Sequence, residues 1–311
     1  MNESTLVARG SEFSVLQERI RDTARRSWKL FRELVRNRLA LAGLVIILVF
    51  LVISILAPIL VGSYPSPVQG GATLQPPSNA HLLGTDYQGR DILTLLAYGG
   101  RVSLLIGFSS SAVAMLLGTA VGLIGGFYGK IPDQLLARAT DFFLVIPWLP
   151  FALVLSLILG PSLQTTIIAI AVVSWPTTAR VIRSQVLSLK ERLFIERSRA
   201  LGANTPHIIW RHVLPNVMPL VWAEAVLTMS NAVFTEAFLS FFGVGPPPGS
   251  GNIVSWGTMV NQSYTALALI ANPPMWWYFL PPGLAITFVV LGFAMLGYGL
   301  EDVLSPGSRR R

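Results

Sequence analysis

The feature that most constrains this chain is a series of six apolar runs, each about 18–26 residues long, separated by more polar, turn-rich stretches. An α-helix rises about 1.5 Å per residue, so each run reaches across a hydrocarbon core of roughly 30 Å. In lipid only helices and closed barrels satisfy every backbone donor, and these runs lack the alternation of a barrel strand. The expected fold is an all-α membrane protein with six transmembrane helices, at about 39–61, 102–127, 142–159, 164–182, 217–242 and 280–304. A soluble domain is excluded, because 52% of the residues are hydrophobic and only 12% are charged.

The basic residues set the orientation. Of 23 Lys and Arg, nine precede residue 39, seven lie between Arg180 and Arg211, and Arg309, Arg310 and Arg311 end the chain. Such clustering follows the positive-inside rule and puts both termini in the cytoplasm, with Arg90 and Arg101 alone outside. The net charge of +8 therefore reports topology rather than an affinity for nucleic acid. Cysteine is absent, which excludes disulfides, thiol catalysis and cysteine metal sites.

Residues 1–38 read as a cytoplasmic segment apart from the six-span domain of residues 39–311. From Phe13 onward, Leu16, Ile20, Ala24, Trp28, Phe31 and Leu34 recur three or four apart among arginines, predicting an amphipathic helix in the membrane interface. Residues 1–12 read equally well as a disordered basic tail. A signal peptide is not expected, since the charged region and the apolar run after it are both too long.

The external segment between the first two spans is rich in Pro and Gly and reads as loop. His81, Asp86 and Asp91 in it lack the fourth ligand and spacing of a closed metal site, so Arg90, Asp86 and Asp91 are read as structural charge pairs. On the second span Ala114, Gly118, Gly122 and Gly126 form a strip of small residues that lets another helix approach closely. Pro147 and Pro150 should distort the third span.

Glu224 and Glu236 lie inside the fifth span, where ionisable groups are candidates for a translocation pathway. Twelve residues apart, they sit about 120° from one another around a helix and share no face. The stretch GLIGGFYGKI fails as a phosphate loop, because Ile124 replaces its first glycine and Ile131 its magnesium-binding hydroxyl. No nucleotide site, catalytic group, metal or cofactor is expected in this chain.

Lys190–Asn216 is a charged interruption in an apolar chain. Glu191–Leu201 has helix-forming composition, and Gly202 stands where a left-handed cap would end it. Thr205 and Pro206 read as the cap and first residue of a second short helix, His207–Val213, ending before Pro215. Ile208, Ile209 and Trp210 cannot all be buried in so short a helix, which predicts a protein contact or a bilayer contact.

Glu196, six residues before Gly202, with Leu214-Pro215 twelve and thirteen after it, resembles the EAA loop of ABC-importer permeases. Arg197, Ser198 and His212 depart from that pattern. The resemblance implies that this loop docks into a cytoplasmic ATPase, with Ile208, Ile209 and Trp210 in its groove. The likeness extends along the chain to the dipeptide/oligopeptide/nickel permease family. It is carried by SWKLFRELVRNRLALAG, His81–Asp86, Gly89-Arg90-Asp91, Gly100–Leu104, Thr235-Glu236-Ala237, Ser255-Trp256-Gly257 and Phe279–Gly283. Tyr298 and Ser305 stand where that family has aspartate.

The C-type subunit of that family is the closer resemblance. It implies a type I ABC-importer permease fold in a bacterial cytoplasmic membrane, paired with a B-type permease. Two ATPase subunits, carrying the ATP and Mg, and an extracytoplasmic solute-binding protein complete the implied complex. Di- and oligopeptides are the expected cargo; nickel chelates, glutathione and oligosaccharides travel through similar permeases. Trp256, Trp276 and Trp277, in and beside the loop at 243–280, are the candidate contacts for the binding protein. A secondary transporter would instead need paired polar sites at interrupted helices, and an intramembrane enzyme a converging acid–base set.

Overall fold

The computed structural model describes residues 32–64, 73–247 and 253–304, and the amphipathic helix expected from Phe13 lies almost wholly outside them. Among the described residues the secondary structure is helical, with one isolated bridge between Thr85 and Asp91. Five helices are long and apolar enough to span a membrane: α1 (Arg38–Ile55), α3 (Ile92–Tyr128), α6 (Leu163–Lys190), α9 (Leu214–Phe241) with the segment before it, and α11 (Trp276–Leu304). A sixth crossing is possible only by joining α4 (Lys130–Val145) to α5 (Trp148–Leu159), which meet at 92°. The expected six spans thus become five helices and one elbow.

The elbow falls at Ile146-Pro147, where the proline lacks the backbone donor a continuous helix needs. The distortion expected in the third span is here a full break. With 12 residues, α5 extends only about 18 Å. Conversely, α3 is longer than its apolar run, because Asp91 caps it ten residues early, its Oδ1 accepting from Thr94 N–H at 2.8 Å. A short helix, α2 (Ala57–Leu60), follows α1.

The small-residue strip of α3 does bring a second helix close, and that helix is α6. A Cβ added at Gly118 would lie 2.6 Å from the Thr178 Cβ, at Gly122 2.8 Å from the Ala179 carbonyl oxygen, and at Gly126 2.9 Å from the Val186 Cβ. With little hydrophobic effect between helices in lipid, this close backbone approach supplies the packing. A second such contact joins α1 to α11, where a Cβ at Gly43 would fall 2.5 Å from the Gly292 carbonyl oxygen.

One cluster of buried side chains lies around Ile92, Leu95, Trp256 and Phe293, and another around Phe127, Ile182, Val186, Ile208 and Val217. They mark the two ends of the bundle. Arg101 closes the first end: its Nε and Nη2 donate to the Ser54 and Ile55 carbonyls at 2.6 and 2.7 Å, satisfying the last turn of α1. At the same end Asp86 and Arg90 form a buried ion pair, Nε to Oδ2 at 2.7 Å. Asp91 pairs with His81 at 3.0 Å and caps α3, so it belongs to no Arg90 pair.

The stretch from 243 to 280, expected as a loop, contains a helix, α10 (Trp256–Thr265). Ser255 caps it in a reciprocal capping box with Thr258.

Candidate functional site

The segment between α6 and α9 is built from two short helices on a rigid turn. The first, α7 (Leu193–Ala200), ends with Gly202 at φ +82°, the left-handed conformation its position requires. Gly202 N–H donates to the Arg199 carbonyl at 2.9 Å and Ala203 N–H to the Ser198 carbonyl at 3.1 Å, the paired bonds of a Schellman turn. The second, α8 (Thr205–Ile208), is capped by Asn204, whose Oδ1 accepts from His207 N–H at 3.0 Å. The cap is therefore one residue earlier than expected, and Thr205 and Pro206 are its first two helical residues.

The second helix does not stop before Pro215. It passes through a π-turn, Ile209–Val213, directly into α9, with Leu214 N–H bonded to the Ile209 carbonyl. Pro215 explains the widening: in a regular helix its ring would press on the carbonyl four residues back, and the wider turn relieves that. The segment that leaves the bundle is thus continuous with a spanning helix rather than hinged to it.

Three apolar side chains weld this segment to the bundle. Ile195, Ile208 and Val213 are buried among Phe127, Ile182, Val186 and Leu189 from the ends of α3 and α6. Arg199 stacks over the Phe127 ring at 5.4 Å. Ile208, expected in a partner's groove, is only 1% exposed and is an internal anchor. Ile209 is half-buried. Consecutive helical residues point about 100° apart, so the residue after an anchor and its neighbour must turn outward. Trp210 does so, at 70% exposure; Leu193, Phe194 and Leu201 of the same segment are exposed too, as are the charged Glu196, Arg197 and Arg211. Of these, Leu193, Phe194 and Leu201 were not singled out from sequence; their signal was an apolar residue in an otherwise charged helix. Leu214 is half-buried and Pro215 exposed.

The two membrane glutamates part company. Glu236 is fully buried within the bundle. Its carboxylate accepts from Ser103 Oγ at 2.9 Å and Ser240 Oγ at 2.7 Å. Ser103 Oγ also accepts from Trp256 N–H at 3.2 Å, so this network ties α10 to α3 and α9. Glu224 is half-exposed.

Trp256 likewise moves from candidate contact to core. It is 1% exposed, its Nε1 donates to the Leu96 carbonyl at 2.9 Å, and its ring meets Phe50 edge-on. Trp277 is buried as well, and only Trp276 of the three remains open at the surface. Among the described residues no group of three or more His, Asp or Glu could hold a metal ion.

Residues 118–310 match the family described as the binding-protein-dependent transport system inner membrane component, and residues 27–77 match the N-terminal TM domain of oligopeptide transport permease C. The chain belongs to this family of ABC-importer permeases. The permease is 41% identical over 285 residues to a dipeptide transport system permease protein of Alkalihalophilus pseudofirmus, covering 91% of each chain. It is 36% identical over 274 residues to an oligopeptide transport system permease protein of Bacillus subtilis, covering 88% of this chain and 87% of that one. Its fold is similar to that in inward-facing conformations of the MetNI methionine ABC transporter. The TM-score is 0.52 at 20% identity, over 68% of the permease and 95% of that chain. The permease is a multi-pass protein of the cytoplasmic membrane.

Proposed function

We propose that this permease forms half of the membrane pathway of an ATP-driven, binding-protein-dependent importer of di- and oligopeptides. ATP and Mg bind two partner ATPase subunits, a B-type permease supplies the other half of the pathway, and an extracytoplasmic binding protein delivers the cargo. Both termini lie in the cytoplasm, on the side of the segment at 190–216.

The observation that carries this reading is the exposure of Trp210, Leu193, Phe194 and Leu201 on a segment anchored by buried Ile195 and Ile208. Large apolar side chains set among charges on a rigid mount suit the groove of a soluble protein. Because the mount continues through the π-turn into α9, a pull on it is a pull on a spanning helix. ATP-driven closure of the ATPases would so reorient the helices and open the pathway by alternating access. The cargo is read from the named relatives; nickel chelates, glutathione and oligosaccharides are the alternatives within the same architecture. Binding-protein contact rests on exposed Trp276, whose ring meets buried Trp277 edge-on.

The test is co-purification. The tagged permease should retain its ATPase partners, and Trp210→Asp should release them while leaving the membrane domain intact. Retention of the ATPases by that variant would remove the docking role of this surface.

A further inference from the structure

The arm α4 is held against α6 by both apolar and polar contacts. Thr140 is its only buried residue among the described ones, while Ile131, Leu135, Phe142 and Val145 are exposed. A pocket between α3, α4 and α6 is lined by Gly122, Leu136, Thr140, Asp141, Arg180 and Arg183. Near the elbow the Phe143 ring meets Trp175 of α6 edge-on, with centroids 5.4 Å apart, whereas at the start of α4 its contact with α6 is polar.

The polar contacts are two ion pairs. Asp133, in the first turn of α4, accepts from Arg183 of α6 twice, Nε to Oδ1 at 2.5 Å and Nη2 to Oδ2 at 2.7 Å. This fork-to-fork geometry fixes direction as well as distance, which a single contact would not. Asp133 is also lodged against α3, where a Cβ at Gly125 would lie 3.3 Å from its Oδ1. Farther along, Arg180 Nη2 donates to Asp141 Oδ1 at 2.6 Å. The second pair is largely exposed at both partners and holds weakly. Arg183 lies two turns before α6 ends at Lys190 and the docking segment begins. At the far end of α4 stands the 92° elbow.

We propose that Arg183 and Asp133 are positioning residues for transport: their bidentate pair makes α4, and with it the elbow at Ile146-Pro147, follow the coupling end of α6. Movement of the docking segment reaches α6 directly and α4 through this pair. The proposal rests on the docking reading given above.

The experiment uses the complete transporter, with partner permease, ATPases and binding protein, in proteoliposomes. Uptake of a labelled dipeptide and ATP hydrolysis are measured together. Spin labels at exposed Leu135 and at exposed Ser188 near the end of α6 report whether α4 keeps its distance from the coupling end of α6 with and without ATP. In the unmodified transporter that distance should hold as the nucleotide changes. Asp133→Asn should broaden it and lower uptake per ATP by roughly fivefold or more, the scale of a modest coupling free energy. Arg183→Lys, which keeps the charge and loses the fork, should fall between. The exchange Asp133→Arg with Arg183→Asp should restore both readouts, and Asp141→Asn should change little. Unchanged uptake per ATP in Asp133→Asn would overturn the proposal. So would a loss that the exchange fails to restore and that leaves the label distance intact, since that marks a purely structural role. If the unmodified transporter shows no ATP-dependent uptake, the docking reading falls first and this proposal with it.

Discussion

Gly202→Val separates the shape of the docking segment from its packing. Gly202 has φ +82°, and a Cβ built on it meets nothing within 4 Å. The valine side chain therefore has room, and its cost is conformational. A left-handed L-residue costs about 1–2 kcal/mol, with a β-branched one at the upper end. If the turn gives way instead, the Schellman bonds of Gly202 and Ala203 are lost, at about 0.5–1.5 kcal/mol each. Either route disfavours the mounted geometry by about 2 kcal/mol, roughly a 30-fold change in its population. The assay is substrate imported per ATP hydrolysed in the reconstituted transporter, with thermal unfolding of the membrane domain as control. Gly202→Val should lower the ratio at least about fivefold without shifting the unfolding temperature, because the penalty is confined to the turn. Gly202→Asn should keep most of the activity, since asparagine tolerates this conformation. Full coupling in the valine variant would refute the reasoning. An asparagine variant as damaged as valine would show that space, not φ, decides.

Ile208→Ala should loosen the docking segment by about 2–4 kcal/mol of cavity cost and raise its hydrogen exchange. Trp210→Ala should leave exchange unchanged and weaken ATPase binding; the reverse pattern would invert the assignment of anchor and contact. Glu236→Leu leaves the Ser103 and Ser240 hydroxyls short of their acceptor, which should cost about 1–3 kcal/mol in thermal stability, whereas Glu236→Gln should keep most of it. Equal loss in both would remove the network role. Gly122→Val forces α3 off the Ala179 carbonyl and should reduce assembled complex in the membrane, seen as lost co-purification. Glu224→Leu should impair uptake at normal expression if this half-exposed carboxyl faces the pathway, and wild-type uptake would end that role.

The spans were legible because length and apolarity are forced by the bilayer, and the Gly118–Gly126 strip because close helix approach tolerates little else. The elbow was half legible: proline marks a distortion, but whether the chain bends or breaks depends on what packs around it. Trp256 was misplaced because a tryptophan among Pro and Gly has the same local composition whether it faces a partner or fills a core. Its slot is made by Phe50, Leu96 and Ser103, far away in sequence. In Ile208-Ile209-Trp210 the helical period requires one residue to turn inward, yet choosing it needs the position of Val186 and Phe127 beneath. Arg183 reads as one of the basic residues that set the topology, and nothing local in sequence links it to Asp133, fifty positions away, with which it pairs.

That the permease is half of an ATP-driven pathway is tested most directly by reconstitution. Proteoliposomes carrying it with its partner permease and ATPases, with binding protein added outside and ATP inside, are given a labelled dipeptide. Uptake should require both the binding protein and hydrolysable ATP, and should persist when ion gradients are collapsed. Uptake that continues without ATP and stops when the gradients are dissipated would contradict this reading and make the chain a secondary transporter.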